Sequence, residues 1–300
     1  MKINTVALLG VSDSPVSDRL RGLLAGMDIP ARMLDLDAPL QGEPVTVRGD
    51  EVIWQGFALH TAAVVWIEKP VFPWPQMLPP PFPLPDVENF NRWRNYQREA
   101  QALAVSALAT ASESATVVNP PWSAHLAVAP ITVLDKLADG GIPVAPWRVG
   151  SVSTDNQEPV VAIDATGHDR RHPAGALPPD APRLVFPSLG GEVMDVLLIG
   201  REIAGCRRWS DPAAWTSSEP AQLDTSAPDQ AADLASCVAS TLALEIVQVS
   251  CVGGGEGPAV MTVDAAPDFN TWDTQLDGAP GSILAHRLAA LARVNQGERP

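Results

Sequence analysis

An oxygen-rich run near the end of the chain, Asp264, Asp268, Asn270 and Asp273, has the residue types that hard cations take as ligands. Phe269 and Trp272 interrupt it, and it lacks the Gly and closing Glu of an EF-hand loop. Metal ligation, with Asp264 and Asp268 as the candidate ligands, therefore stands beside a plainer use of the same side chains as caps and turns. The glycine-rich GGGEGP at 253–258 is no phosphate cradle, because it lacks the Lys and Ser/Thr of a Walker loop and Pro258 leads into an apolar strand. It reads as a hairpin turn.

Other nucleophiles and ligands are dispersed. His60, His125, His168, His172 and His286 are scattered, and His168 with His172 belongs to the polar segment GHDRRHPAG, a loop composition. Cys206, Cys237 and Cys251 are odd in number and form no CxxC, which excludes a disulfide framework and a zinc ribbon. With no GxSxG elbow and no motif that brings a His to a Cys, nucleophilic hydrolysis has no support.

These residues need a scaffold, and the composition provides for one. The 300 residues are 46% hydrophobic and 18% charged, enough for a core of two or three lobes. A formal net charge of −15 argues against a partner made of nucleic acid, which recruits clustered Lys and Arg. No apolar run approaches 18 residues, so no membrane span is expected, and MKINTVALLG reads as a first strand of a cytoplasmic protein.

Thr5–Leu9 is an apolar run followed by Gly10 and the turn residues Ser12, Asp13 and Ser14, then by helical spacing at Leu20, Leu23 and Leu24. Strands are expected at Ala31–Leu36 and Ala63–Ile67, with a small hairpin between them around Arg48, Gly49 and Asp50. That order predicts a parallel sheet covered by helices, Rossmann-like in outline. GVSDSP stands where a dinucleotide fold would have GxGxxG, so that cofactor is excluded. Residues 69–85, KPVFPWPQMLPPPFPLP, predict a proline-rich loop packed by its own aromatics.

A helix is expected over Gln97–Ala111, a strand at Val117–Val118, a helix over Ile131–Ala138 and a strand at Ile142–Pro146. Further strands are predicted at Val160–Ile163, Arg183–Phe186, Val193–Ile199, Ile246–Val252 and Ala259–Val263, and helices at Gln230–Leu244 and Ile283–Val294. The second half is thus α+β. A lobe boundary falls near residue 120, dividing the chain into 1–120 and 121–300.

The succession AVVWIEKP, a helix carrying Glu99, VVNPPWSAHLAVAPITVLDKLADGGIPVAPW, LVFPSLGGEVMDVLLIGREIAGCRRW and LALEIVQVSCVGGGEGPAVMTVDAAPDFNTWD resembles the ATP-grasp ligases. The branch it is most similar to comprises the ribosomal protein S6 modification enzymes and the maturases of ribosomally made peptides. The resemblance implies an N-terminal Rossmann-like (pre-ATP-grasp) domain, two α+β lobes holding ATP and Mg²⁺, and a carboxylate activated for attack by an amine. It makes Lys136, Val185 and Phe186 the cofactor-binding candidates, Lys136 being the Lys nearest to the expected phosphate-side position, and makes Arg207 and Arg208 the arginines closest to a catalytic position. It also implies losses. Pro130 stands where the first phosphate lysine is expected, Ile163 and Asp164 offer no second one, Ser250 replaces a metal-binding Asp, and Thr262 and Asp264 replace a Glu and an Asn. Val193 and Asp195 stand where an Asp and an Arg belong.

Two readings follow. One is a catalytically degenerate homologue that binds a peptide or a catalytic partner protein, with a homodimer left open. The other is an active ATP- and Mg²⁺-dependent carboxylate-amine ligase in which Arg207, Arg208, Lys136 and Asp264 do the work.

Overall fold

A computed structural model describes residues 3–10, 14–68, 87–123, 126, 129–150, 160–164, 183–187, 189–216, 220, 222–255 and 257–294. The proline-rich stretch 69–85, the turn residues Ser12 and Asp13, His125, and the segment with His168 and His172 lie outside the described residues. Two compact units are present, one of Met1–Ala124 with Leu284–Pro300 and one of His125–Ile283.

In the first unit, β1 (Ile3–Gly10), β2 (Ala31–Asp35), β6 (Ala62–Ile67) and β7 (Thr116–Val118) form a sheet in the order β2-β1-β6-β7. Every pairing is parallel. A parallel sheet is buried on both faces, and so Val6, Ala7, Leu8 and Leu9 are all 0% exposed despite pointing alternately up and down. Helix α1 (Pro15–Gly26) starts at Ser14, whose side chain accepts from the Ser17 N–H at 3.3 Å, and Pro15 occupies its first turn, where a missing N–H costs nothing.

Between β2 and β6 lies an antiparallel trio, β3 (Val45–Arg48), β4 (Glu51–Trp54) and β5 (Phe57–Ala58). The expected hairpin is present, and a second turn at Gln55 and Gly56 adds the short third strand. Both turn residues have positive φ, 46° and 75°, the mirror-image turn that matches strand twist.

Helix α2 (Val87–Ser112) begins ten residues before the expected start at Gln97. Its opening, VENFNRWRN, spaces Val87, Phe90 and Trp93 three apart among polar residues, a weaker signal than the alanine-rich stretch that follows. Farther along, Ala100, Ala104, Ala107, Leu108 and Ala111 are buried at helical spacing, and the last four pack with Leu9, Trp54 and Val65. Small alanines let the helix lie close to the strands.

The second unit holds two antiparallel sheets. One is β8 (Arg148–Gly150), β10 (Arg183–Pro187) and β9 (Val160–Asp164), with β10 in the middle. The other has five strands in the order β13-β12-β11-β14-β15, namely Gln222–Asp224, Glu202–Trp209, Val193–Ile199, Ile246–Val252 and Ala259–Asp264. The GGGEGP segment joins β14 to antiparallel β15, as its composition predicts.

Helix α3 (Pro130–Asp139) contacts β15, and α4 (Asp229–Leu242) packs on β11 and β14 through Ala231, Leu234, Ala235, Val238, Ala239 and Leu242. These join Val196, Leu198, Val247 and Val249 in one core. The expected strand at Ile142–Pro146 is reduced to a single bridge, Val144 to Val260, because Pro143 and Pro146 cannot donate to a ladder. Two helices close the described residues, the short α5 (Phe269–Gln275) and the longer α6 (Ala279–Val294). Parallel and antiparallel sheets with covering helices give the α/β architecture expected from the sequence.

Candidate functional site

The β11–β15 sheet has one apolar face and one polar face. Strand register aligns Arg207, Asp195, Ser250 and Thr262 across β12, β11, β14 and β15, each directly opposite the next. Residues directly opposite share a face, so these four make a single polar row. The neighbouring row on that face is Gly205, Leu197, Gln248 and Asp264.

Every side chain of the first row is sealed from solvent. Asp195 is 0% exposed, Ser250 1%, and Arg207 and Thr262 7% each. A buried carboxylate must be hydrogen-bonded, and Asp195 Oδ1 accepts from Ser250 Oγ at 2.7 Å and from Trp215 Nε1 at 2.9 Å. Trp215 comes from the short 3₁₀ turn Pro212–Thr216 just after β12.

Helix α5 covers the row beside it. The Arg207 guanidinium lies 3.7 Å from the centroid of the Trp272 ring, an arginine–aromatic stack of the cation–π kind. Trp272 Nε1 donates to Gln248 Oε1 at 2.9 Å, which fixes the indole in its plane. Gly205 makes room for it. A Cβ there would come within 2.8 Å of Trp272 Cζ3 and 2.5 Å of Leu276 Cδ1, closer than real contacts allow.

The opposite face carries two buried thiols. Burial pushes the Cys206 thiol up to about 11, with Arg208 only partly opposing it, and Cys251 up to about 12. Neither is a thiolate at neutral pH.

No family model matches the chain, and no curated protein sequence does. Solved structures do. The ATP-grasp ligase PsnB, complexed with a phosphomimetic variant of its minimal precursor, Mg and ADP, superposes with a TM-score of 0.74 at 16% identity, covering 97% of this chain and 99% of its own. The chain has the ATP-grasp fold. The macrocyclase MdnC from Microcystis aeruginosa MRC, bound with precursor peptide MdnA, gives a TM-score of 0.68 at 11% identity over 95% of this chain and 99% of that one. A RiPP-associated ATP-grasp ligase from Chryseobacterium gregarium, in complex with ADP and a leader and core peptide, gives 0.66 at 12% identity over 99% and 98%.

Within this ATP-grasp fold the candidate residues are dispersed. Arg207 and Arg208 are consecutive on a strand and so face opposite ways. Arg207 joins the polar row, while Arg208 is half-buried on the side of Cys206. Nor are they an exposed edge pair, since β12 is an inner strand between β13 and β11. Lys136 is exposed in the last turn of α3, where its charge suits the carbonyl end of the helix. Val185 and Phe186 are both 0% exposed in the central strand β10, with Leu184 and Phe186 in the main core and Val185 on the other side.

The metal candidates are engaged elsewhere. Asp268 caps α5, its Oδ1 accepting from Thr271 N at 3.2 Å and its Oδ2 from Thr271 Oγ1 at 2.6 Å. Asp264 shares the polar face but its Oδ1 accepts from Ala266 N at 2.9 Å. Mg²⁺ demands near-octahedral oxygen ligation from one or two carboxylates together with phosphates and water. That donor set does not fit here, and among the described residues no three His, Cys, Asp or Glu side chains converge.

Sequence reasoning missed Gln248, Trp215 and Trp272 as members of the network. A signal existed for the first, because Gln248 and Ser250 interrupt the apolar IVQVSCV two residues apart and must share a face.

Proposed function

We propose that the chain is a divergent ATP-grasp-fold protein that is catalytically degenerate and acts as a peptide- or partner-binding subunit. The observation that carries this reading is the enclosure of Asp195. The one carboxylate in the row is 0% exposed and its Oδ1 accepts from Ser250 and Trp215, which supports a structural role for it. Phosphoryl transfer between anions needs lysines and bridged metal ions on the reacting oxygens. Of the residues proposed for that work, Lys136 sits on the solvent side of α3, Asp268 is a helix cap and Arg208 faces away from the polar row.

A peptide partner is supported by the structural neighbours, whose names record precursor, leader and core peptides, at 11–17% identity. Reading the first unit as the Rossmann-like lobe is supported by its all-parallel β2-β1-β6-β7 sheet. No described helix is long and apolar enough to cross a membrane. The second reading, an active carboxylate-amine ligase, draws on the sharing of one face by Arg207, Asp195 and Asp264.

Thermal unfolding with ATP and Mg²⁺ separates the two. A ligand at a hundred times its Kd adds about 2.7 kcal/mol to the native state, a rise of several degrees. The degenerate reading expects no rise with millimolar nucleotide and no phosphate release. A rise accompanied by nucleotide hydrolysis or peptide ligation sinks it.

A further inference from the structure

The polar face gathers oxygen atoms as a hard-cation site does. Asp195, Asp264, Ser250, Thr262 and Gln248 contribute carboxylate, hydroxyl and amide groups from three adjacent strands. A buried carboxylate without a neutralising charge is costly, and Asp195 is 0% exposed, so this face calls for a cation. Among the strand residues that register places on it, Arg207 alone carries positive charge.

We infer that Arg207, clamped by Trp272, is the resident cation of this face and stands in for a divalent metal, so that the face neither needs nor holds one. Arg207 lies directly opposite Asp195 on the adjoining strand, the separation at which opposite charges stabilise a sheet. Its guanidinium cannot lose its proton, which makes the charge permanent. The indole fixes its plane at 3.7 Å, Gln248 fixes the indole, and Gly205 leaves the space that the indole fills. Lysine cannot replace it, because an ammonium lacks the flat surface that stacks on the ring. The inference depends on the proposal that this face no longer carries a reaction, and it assigns Trp272 and Gln248 the task of positioning Arg207.

Two measurements test it. In the first, Mn²⁺ is titrated into the wild-type protein and into Asp264→Asn, and free Mn²⁺ is followed by electron paramagnetic resonance. The two proteins should deplete the signal equally, since any weak binding arises from the acidic surface. Depletion that Asp264→Asn abolishes overturns the inference. In the second, urea midpoints are compared for Arg207→Met, Asp195→Asn and the double variant. The double variant should be more stable than Arg207→Met alone, because removing the anion relieves the loss of its cation. A double variant no more stable than Arg207→Met also overturns it. Should Arg207→Met fail to fold, the same comparison in Arg207→Gln, read alongside the near-ultraviolet circular dichroism of Trp272, decides the matter. Coupling to Asp195 and a changed Trp272 band are expected, and their absence counts against it. Turnover of ATP would defeat the proposed function while leaving both measurements of Arg207 standing.

Discussion

Asp195 is a charged residue inside VMDVLLI, a strand otherwise apolar, and its partners explain why it is tolerated. Ser250 and Trp215 each give it a hydrogen bond to an ionised acceptor, of the kind worth about 1.5–3 kcal/mol. Asp195→Ala would leave a buried hydroxyl and a buried indole N–H unmatched, and is expected to cost about 3 kcal/mol or more by urea unfolding. Asp195→Asn keeps an acceptor and should cost less.

The two buried thiols give a pH signature. Cys206 and Cys251 are raised in the folded state from 9.0 to about 11 and about 12, so the unfolded chain loses those protons first. Their contribution is complete below pH 9 and is lost as pH climbs toward 12. The urea midpoint should therefore fall over that window. Cys251→Ala should flatten the fall while lowering the plateau.

At the scale of the element, α5 is seated by a cap and by a fit. Asp268→Ala removes the cap and should cost about 1 kcal/mol. Mg²⁺ should change neither the wild type nor this variant, which separates a cap from a metal ligand. Gly205→Ala drives a methyl into Trp272 and Leu276 and should cost about 1–3 kcal/mol. The penalty should shrink in a Trp272→Leu background, as calorimetry would show.

Elements were legible in the sequence wherever one period dominated. β6 is a continuous apolar run and β11 is broken only by Asp195, and α4 shows Leu234, Val238 and Leu242 on one stripe. Where the period was weak or interrupted the reading failed, as at the start of α2, where Val87, Phe90 and Trp93 stand among polar residues, and at the prolines around Val144. The site was legible to the level of the strand and no further. That Arg207 and Arg208 part company follows from alternation, yet which of them joins Asp195 is decided by the register of β11 on β12. Trp215 reaches Asp195 from outside the sheet, a contact that no local spacing announces.

For the whole molecule, the division into units is not colinear with the chain. The second unit is one uninterrupted segment, His125–Ile283, whereas the first takes back Leu284 and the residues after it. Leu284, Ala285, Leu288, Ala289 and Ala292 of α6 are all buried, and Arg293 donates to the carbonyl of Met27 at the end of α1. Truncation before Leu284 should destabilise the first unit selectively, with the emission of its buried Trp54 and Trp66 shifting to the red at lower urea. The first unit therefore closes only across the intervening residues 125–283, a long loop whose ends must meet, whereas the second unit can close from contiguous residues alone.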